Sequence, residues 1–230
     1  MNLQHIDIVD IVFKAIAFLF AISIHESAHA WMANRCGDPT ARMLGRVTLN
    51  PIPHIDPVGT LLLPAIGLLY GGVFFGWAKP TPVDPRNFRD PVRGDILTTV
   101  AGPASNFLVA SVAVCILILI GLSSPLGHQI VVNQILGAGS GSDSFLVPAT
   151  QFFYDLMFIN VILAVFNLIP VPPLDGSHVL RHFLPEAIRN VYDRMGWYAL
   201  IALVIFGSPL ISRLIRPVWT MFNQVLLRTL

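Results

Sequence analysis

The chain has 230 residues, of which 54% are apolar and only 12% charged, with a formal charge of +1 and a positive mean hydropathy. These values lie far outside a soluble globular profile and describe a polytopic membrane protein. The net charge says nothing about nucleic acid, but the lack of a basic tract with interleaved aromatics sets a nucleic-acid surface aside, and the two cysteines, Cys36 and Cys115, fall at different expected depths and predict no disulfide.

The first apolar stretch, about residues 8 to 34, is long enough to cross a bilayer and closes at Arg35-Cys36-Gly37-Asp38-Pro39. No Lys or Arg precedes it, so it reads as a retained span and not as a secretory leader. Its last third carries His25-Glu26-Ser27-Ala28-His29. At roughly 100° per residue, a helix puts the two imidazoles about 40° apart with Glu26 in the same sector. In zinc hydrolases this spacing lets two neutral His nitrogens hold the metal while the Glu, not itself a ligand, takes a proton from metal-bound water. The bland reading is a His pair satisfied within a core. It is weakened by location, because ionisable groups among membrane-spanning apolar residues are expensive and usually functional.

Residues 42 to 49 place β-branched and apolar residues around Gly45 and read as a short strand; Asn50 to Pro57 then forbids regular structure by its proline density. Residues 58 to 77 are long and apolar enough to cross, yet contain Gly59, Pro64, Gly67, Gly71, Gly72 and Gly76. Trp77 to Val83 reads as an extended edge. The next span, about 96 to 122, includes Ala101-Gly102-Pro103-Ala104-Ser105-Asn106, whose small residues admit a neighbouring helix closely. Residues 123 to 147 are Gly/Ser-rich and too short and flexible in composition for a folded domain. A further span, about 149 to 169, leads into Asn167-Leu168-Ile169-Pro170-Val171-Pro172-Pro173-Leu174-Asp175-Gly176, where the prolines end the helix. A last apolar region, 197 to 215, is broken at Gly207-Ser208-Pro209, and the tail from Arg216 is amphipathic enough to lie at the interface.

A catalytic zinc site needs three protein ligands and one open position. Asp175 is the best partner for His25 and His29, since a carboxylate at the end of an apolar span is costly without a cation beside it. Taken alone, it is equally a turn aspartate before Gly176. His178 and His182 repeat the i, i+4 spacing, but with no Glu between them and Arg181 beside the second they do not read as another metal site. His54 reads as a loop-ordering residue.

The His-Glu-x-x-His of residues 25 to 29, the Ala-Gly-Pro of 101 to 103 and the Asn-x-x-Pro-x-Pro-x-Leu-Asp-Gly of 167 to 176 together resemble the site-2 protease family of intramembrane zinc metalloproteases. The resemblance spans most of the chain. It implies His25, His29 and Asp175 as ligands of one Zn2+ per chain, Glu26 as general base, and Asn167 as a group that positions substrate or stabilises the oxyanion. The want of an inserted soluble domain is similar to the minimal bacterial or archaeal members, which lack the PDZ and CBS domains of others.

These readings predict an all-α polytopic membrane protein forming a single domain over 1 to 230. It would have about four to six transmembrane or re-entrant helices and a short β-hairpin or re-entrant β segment after the first span. For His25, His29 and Asp175 to share an ion, the spans 8–34 and 149–169 must run the same way, which makes 58–77 re-entrant. Seven Lys or Arg residues between 35 and 93, and none between 123 and 147, put the motif ends at the cytoplasmic face of a bacterial or archaeal cell membrane. The expected activity is zinc-dependent endopeptidase cleavage within or beside transmembrane segments of another membrane protein; the extended stretches 42–49 and 77–83 either hold the unwound substrate as a further strand or simply connect spans. The alternatives are a non-catalytic zinc-binding membrane chaperone or a zinc transporter, and a membrane-anchored protease with a cytosolic substrate. A transporter needs ionisable groups along a path through the midplane, and an inactive relative would lack Glu26.

Overall fold

The computed structural model describes residues 8–70, 76–139 and 142–230. Three helices are long and apolar enough to cross a membrane: α1 (Ile8–Cys36), α4 (Pro91–Ser123) and α6 (Leu146–Asn167). Between them lie α2 (Thr40–Met43), α3 (Leu63–Tyr70) and α5 (Pro125–Leu136); α7 (Asp175–Arg181), α8 (Glu186–Phe206) and α9 (Ser208–Thr229) follow. The last two are bent 78° apart at Gly207 and make a fourth crossing if taken as one span.

Hydrogen bonds between side chains give the helix directions. Gln151 Nε2 donates to Asp10 Oδ1 at 2.8 Å, and further on Asn106 lies between His25 and Asn160, so α1 and α6 run parallel. His25 meets Asn106 whereas His29 meets Thr98, so α4 runs against them. Small residues let the three backbones close: Ala17, Ala21, Ala110 and Ala113 are fully or almost fully buried, with Met157, Val161 and Leu117 filling the seam. Between helices in lipid the attraction comes from such packing and from polar contacts, since lipid tails are as apolar as leucine. Helix α9 joins this core through Phe222 and Leu226. Its Trp219 packs on Phe158 and its Asn223 accepts from Tyr154, so it runs antiparallel to α6.

Helix α1 ends where Gly37 takes φ 119°, with the Asn87 carbonyl 2.9 Å from where a Cβ would sit. Only glycine fits both constraints. Asp38 follows and gathers the loops: its Oδ2 accepts from Asp84 N at 2.8 Å, and its Oδ1 from Thr40 and from Asn87 Nδ2. Burial opposes the charge, but the bonds from Thr40 and Asn87 and from the backbone N–H groups outweigh it and hold this carboxyl below its usual range.

The β segment expected after the first span is corrected: among the described residues there is no strand. Residues 40–43 make a helical turn and 44–51 bends, because the polar groups are claimed otherwise. Buried Arg46 donates to the carbonyls of Pro53, and of Pro80 at 2.9 Å, tying this loop to the extended stretch 77–83. That stretch uses one edge for loop contacts, Trp77 N to Gly59 O and Lys79 N to His54 O, while Pro80 and Pro82 offer no donors for a ladder. Residues 57–62 form a π-type turn running into α3. Of the segment 58 to 77, residues 71–75 lie outside the described residues, but its ends meet: Thr60 Oγ1 donates to Trp77 O at 2.8 Å. A second departure is α5, inside the stretch read as flexible. Ser124 caps it by accepting from Gly127 N, Pro125 opens it, and Gly137 at φ 69° closes it.

Candidate metal centre

The site lies where the last third of α1, the first half of α4 and the start of α7 meet. His25 and His29 project from one face of α1, are 7% and 8% exposed, and stand edge to face. His25 Nδ1 donates to Asn106 Oδ1 at 2.6 Å. The amide orientation follows from its other contacts, since Asn106 Nδ2 donates to Asn160 Oδ1 at 2.7 Å and to Ala21 O at 3.3 Å. Asn160 in turn donates to Leu156 O, which completes a buried polar chain across three helices. His29 Nδ1 donates to the Thr98 carbonyl at 2.7 Å. Each imidazole thus keeps its proton on Nδ1, and both Nε2 lone pairs turn to the same point.

At that point sits Asp175. The α6 helix ends at Asn167, Pro170 to Pro173 carry the chain without helix, and α7 begins with Asp175 as its first residue. Its Oδ2 lies 3.2 Å from His25 Nε2 and 3.4 Å from His29 Nε2, and the two Nε2 atoms are 3.0 Å apart. This oxygen is buried with no hydrogen-bond partner.

A divalent cation fits this donor set. Ligand atoms about 2.05 Å from one zinc at a tetrahedral angle stand about 3.3 Å apart, close to the three edges measured here. Two imidazole lone pairs and a carboxylate oxygen, with no proton between them, repel at such distances unless a cation sits among them. Among the described residues these three are the one group of His, Cys, Asp and Glu able to meet a metal in this way. Gly102 makes the room: a Cβ there would stand 2.3 Å from His29 Nε2 and 2.7 Å from His25 Cε1.

Around the triad opens a cleft of about 630 Å³, lined also by Glu26, Asn167, Thr81, Trp77, Trp197 and His178. Glu26 follows His25 and turns its carboxylate to the extended stretch, where Oε2 accepts from Thr81 N at 2.9 Å and Thr81 Oγ1 at 2.7 Å. Its Oε1 has no partner among the described residues. Asn167 reaches the cleft from the last residue of α6, and its amide makes no hydrogen bond among the described residues. All five residues singled out in the sequence therefore line one cleft. Sequence reasoning missed Thr81, Asn106, Asn160 and the Thr98 carbonyl. A signal existed for two of them, since an asparagine inside an apolar span needs an internal partner. His54 is fully buried in the loop layer and its Nε2 donates to the Thr48 carbonyl, 3.0 Å away, outside the metal triad.

Apolar crossing helices around a buried His, His, Asp cluster with a neighbouring carboxylate define an integral membrane metalloprotease. The family model of Peptidase family M50, the site-2 protease family, matches residues 13–207, and the chain belongs to it. Relatives whose names carry the words zinc metalloprotease include YwhC of Bacillus subtilis, 35% identical over 92% of this chain and 86% of that protein. Rip2 of Mycolicibacterium smegmatis is 29% identical over 85% of this chain and 67% of its own length. No solved structure matches the chain.

Proposed function

We propose that the chain is a single-domain, zinc-dependent intramembrane endopeptidase that cuts peptide bonds within or next to transmembrane segments of other membrane proteins. The observation that carries this reading is the convergence of His25 Nε2, His29 Nε2 and Asp175 Oδ2 in a cleft shared with Glu26 and Asn167. One Zn2+ per chain, held by those three atoms, would supply Lewis acidity to a scissile carbonyl and to a water. Glu26 is the general base. Thr81 holds its Oε2, which leaves Oε1 to take a proton in the cleft and to return it to the leaving nitrogen. Asn167, its amide uncommitted, donates to the substrate carbonyl or to the charge that develops on it.

The cleft sits at one end of the apolar bundle. A substrate helix must unwind there, since a helix keeps its carbonyls hydrogen-bonded and away from any ligand. The stretch 77–83 flanks Glu26 with extended backbone, so we place the unwound substrate alongside it. The motif end is assigned to the cytoplasmic face of a bacterial or archaeal cell membrane on the basis of the Lys and Arg residues between 35 and 93.

The test is turnover of a reconstituted single-span substrate by wild type and Glu26→Gln. The amide fills the same space but accepts no proton, so cleavage falls by about 10²- to 10⁴-fold while zinc content and fold stay at wild-type levels. Near-normal cleavage by Glu26→Gln would remove the general-base role.

A further inference from the structure

Helix α7 has only seven residues, too few to hold its own conformation in isolation, and its N-cap position, Leu174, supplies no side-chain cap. Yet its first residue is the third arm of the triad, so its orientation comes from what it packs on. Counting from Asp175, His178 at i+3 lies on the same face of α7, and His182 at i+7 follows in line as its C-cap with helical backbone angles. Both meet one carboxylate. His182 Nε2 donates to Asp95 Oδ2 at 2.7 Å, and His178 Nδ1 lies 3.4 Å from Asp95 Oδ1. Asp95 is 9% exposed on α4. The i, i+4 pair that imitates a second metal motif is thereby already satisfied.

Asp95 belongs to a single stripe of α4. Thr98 at i+3, Gly102 at i+7 and Asn106 at i+11 stand above it on the same face, and each serves the imidazoles as described. One side of one helix therefore touches both His ligands directly and reaches the helix that bears the carboxylate ligand.

We propose that Asp95, bridged to His178 and His182, is the positioning residue for Asp175, fixing where α7 presents that carboxylate to His25 and His29. The inference rests on the reading of Asp175 as a metal ligand. Without the bridge, α7 keeps the packing of Gly176 on the Leu168 and Ile169 carbonyls and the half-exposed Arg181–Asp193 ion pair to α8, but it loses its side-chain tie to α4, the helix that holds both imidazoles. The arm then spends less time in ligating geometry, and zinc binds more weakly although every ligand is present.

The experiment is a double-mutant cycle on apparent zinc affinity, measured on the purified full chain in detergent with chelator-buffered zinc. Asp95→Ala weakens zinc about 10- to 100-fold, and Asp95→Asn, which keeps a carbonyl acceptor, weakens it less. In an Asp175→Ala background, Asp95→Ala adds nothing beyond about twofold, because the arm it positions is gone. Should Asp95→Ala fold poorly, Asp95→Asn and His182→Gln carry the same cycle. Unchanged affinity in these variants overturns the proposal, and so does an equal penalty in both backgrounds, which is the mark of a loosened α4 acting through Thr98 on His29. If wild type and Asp175→Ala bind zinc alike, the fault lies instead in the assignment of Asp175.

Discussion

His25 shows how a polar side chain is afforded inside an apolar bundle. Its Nδ1 proton goes to Asn106, Asn106 donates to Asn160, and Asn160 donates to a backbone carbonyl one turn back, so each nitrogen in the chain has an acceptor and no charge is left over. The bonds orient the ring and raise the basicity of the nitrogen that faces Asp175. Asn106→Ala leaves Asn160 Oδ1 unsatisfied and frees the ring to turn. It is expected to weaken zinc about 10- to 100-fold with little change in the substrate KM, read from chelator competition and from initial rates at saturating zinc. Unaltered affinity would mean that Asn106 only fills space. Gly102 serves the same rings by what it lacks, since any side chain there enters the volume that His29 occupies.

At the scale of elements, the loops on the cleft end are held by buried polar groups and not by a β ladder. Arg46 and Asp38 each hold two distant loops through one buried polar group, Arg46 between 53 and 80 and Asp38 between 40 and 84–87. Both fix the ends of the stretch that carries Thr81 to Glu26. The Asp38 carboxyl titrates below its ordinary 3.8 in the folded protein. A depressed folded value means the contribution to stability is complete above about pH 5 and is lost as pH falls through the folded pKa. The melting temperature of wild type should therefore exceed that of Asp38→Asn by a constant margin from about pH 5 upward, and the margin should shrink below about pH 4. A margin that does not change with pH would refute the charged role of Asp38.

Much of the element structure could be read from the residues, for identifiable reasons. Long apolar runs need helices in lipid, and His25-Glu26-x-x-His29 has chemical meaning only on one, so α1, α4 and α6 and the metal face were legible. The strand expected at 42–49 is absent because β-branched residues around Gly45 satisfy only a local preference, whereas Arg46 is drawn to the carbonyls of Pro53 and Pro80, which no local pattern announces. Helix α5 was missed by averaging composition over a Gly/Ser-rich stretch whose caps, Ser124 and Gly137, mark its two ends plainly. Asp95 carried no local signal. Its meaning lies in two histidines more than eighty positions later, and it emerges only when α4 and α7 are side by side.

For the whole molecule, the helix directions place the ends of α1 and α6 and the start of α4 at the cleft. Helix α9 follows Gly207, and Leu230 just past its end lies against Gly121, near the far end of α4. Arg213 and Arg216 thus fall in the half of α9 nearer the cleft, on the side where the basic residues between 35 and 93 gather. The meeting of Thr60 with Trp77 brings both ends of the 58–77 segment to that same side. Single cysteines at Pro57 and at Trp77, in a protein lacking Cys36 and Cys115, should both react with an impermeant thiol reagent from the cytoplasmic side and neither from outside. Labelling from opposite sides would mean that the segment crosses.

The central claim is that this cleft hydrolyses a peptide bond of a membrane-spanning substrate. Mass spectrometry of the products from a purified, reconstituted single-span substrate tests it most directly, because it reads which bond is cut. The account predicts one dominant cut within the apolar segment or at its cytoplasmic margin, lost on zinc chelation and in Glu26→Gln, and accelerated when Gly, Pro or Asn near the bond weakens the substrate helix. Cutting confined to a flexible soluble tail, at a rate indifferent to the helicity of the span, would contradict it.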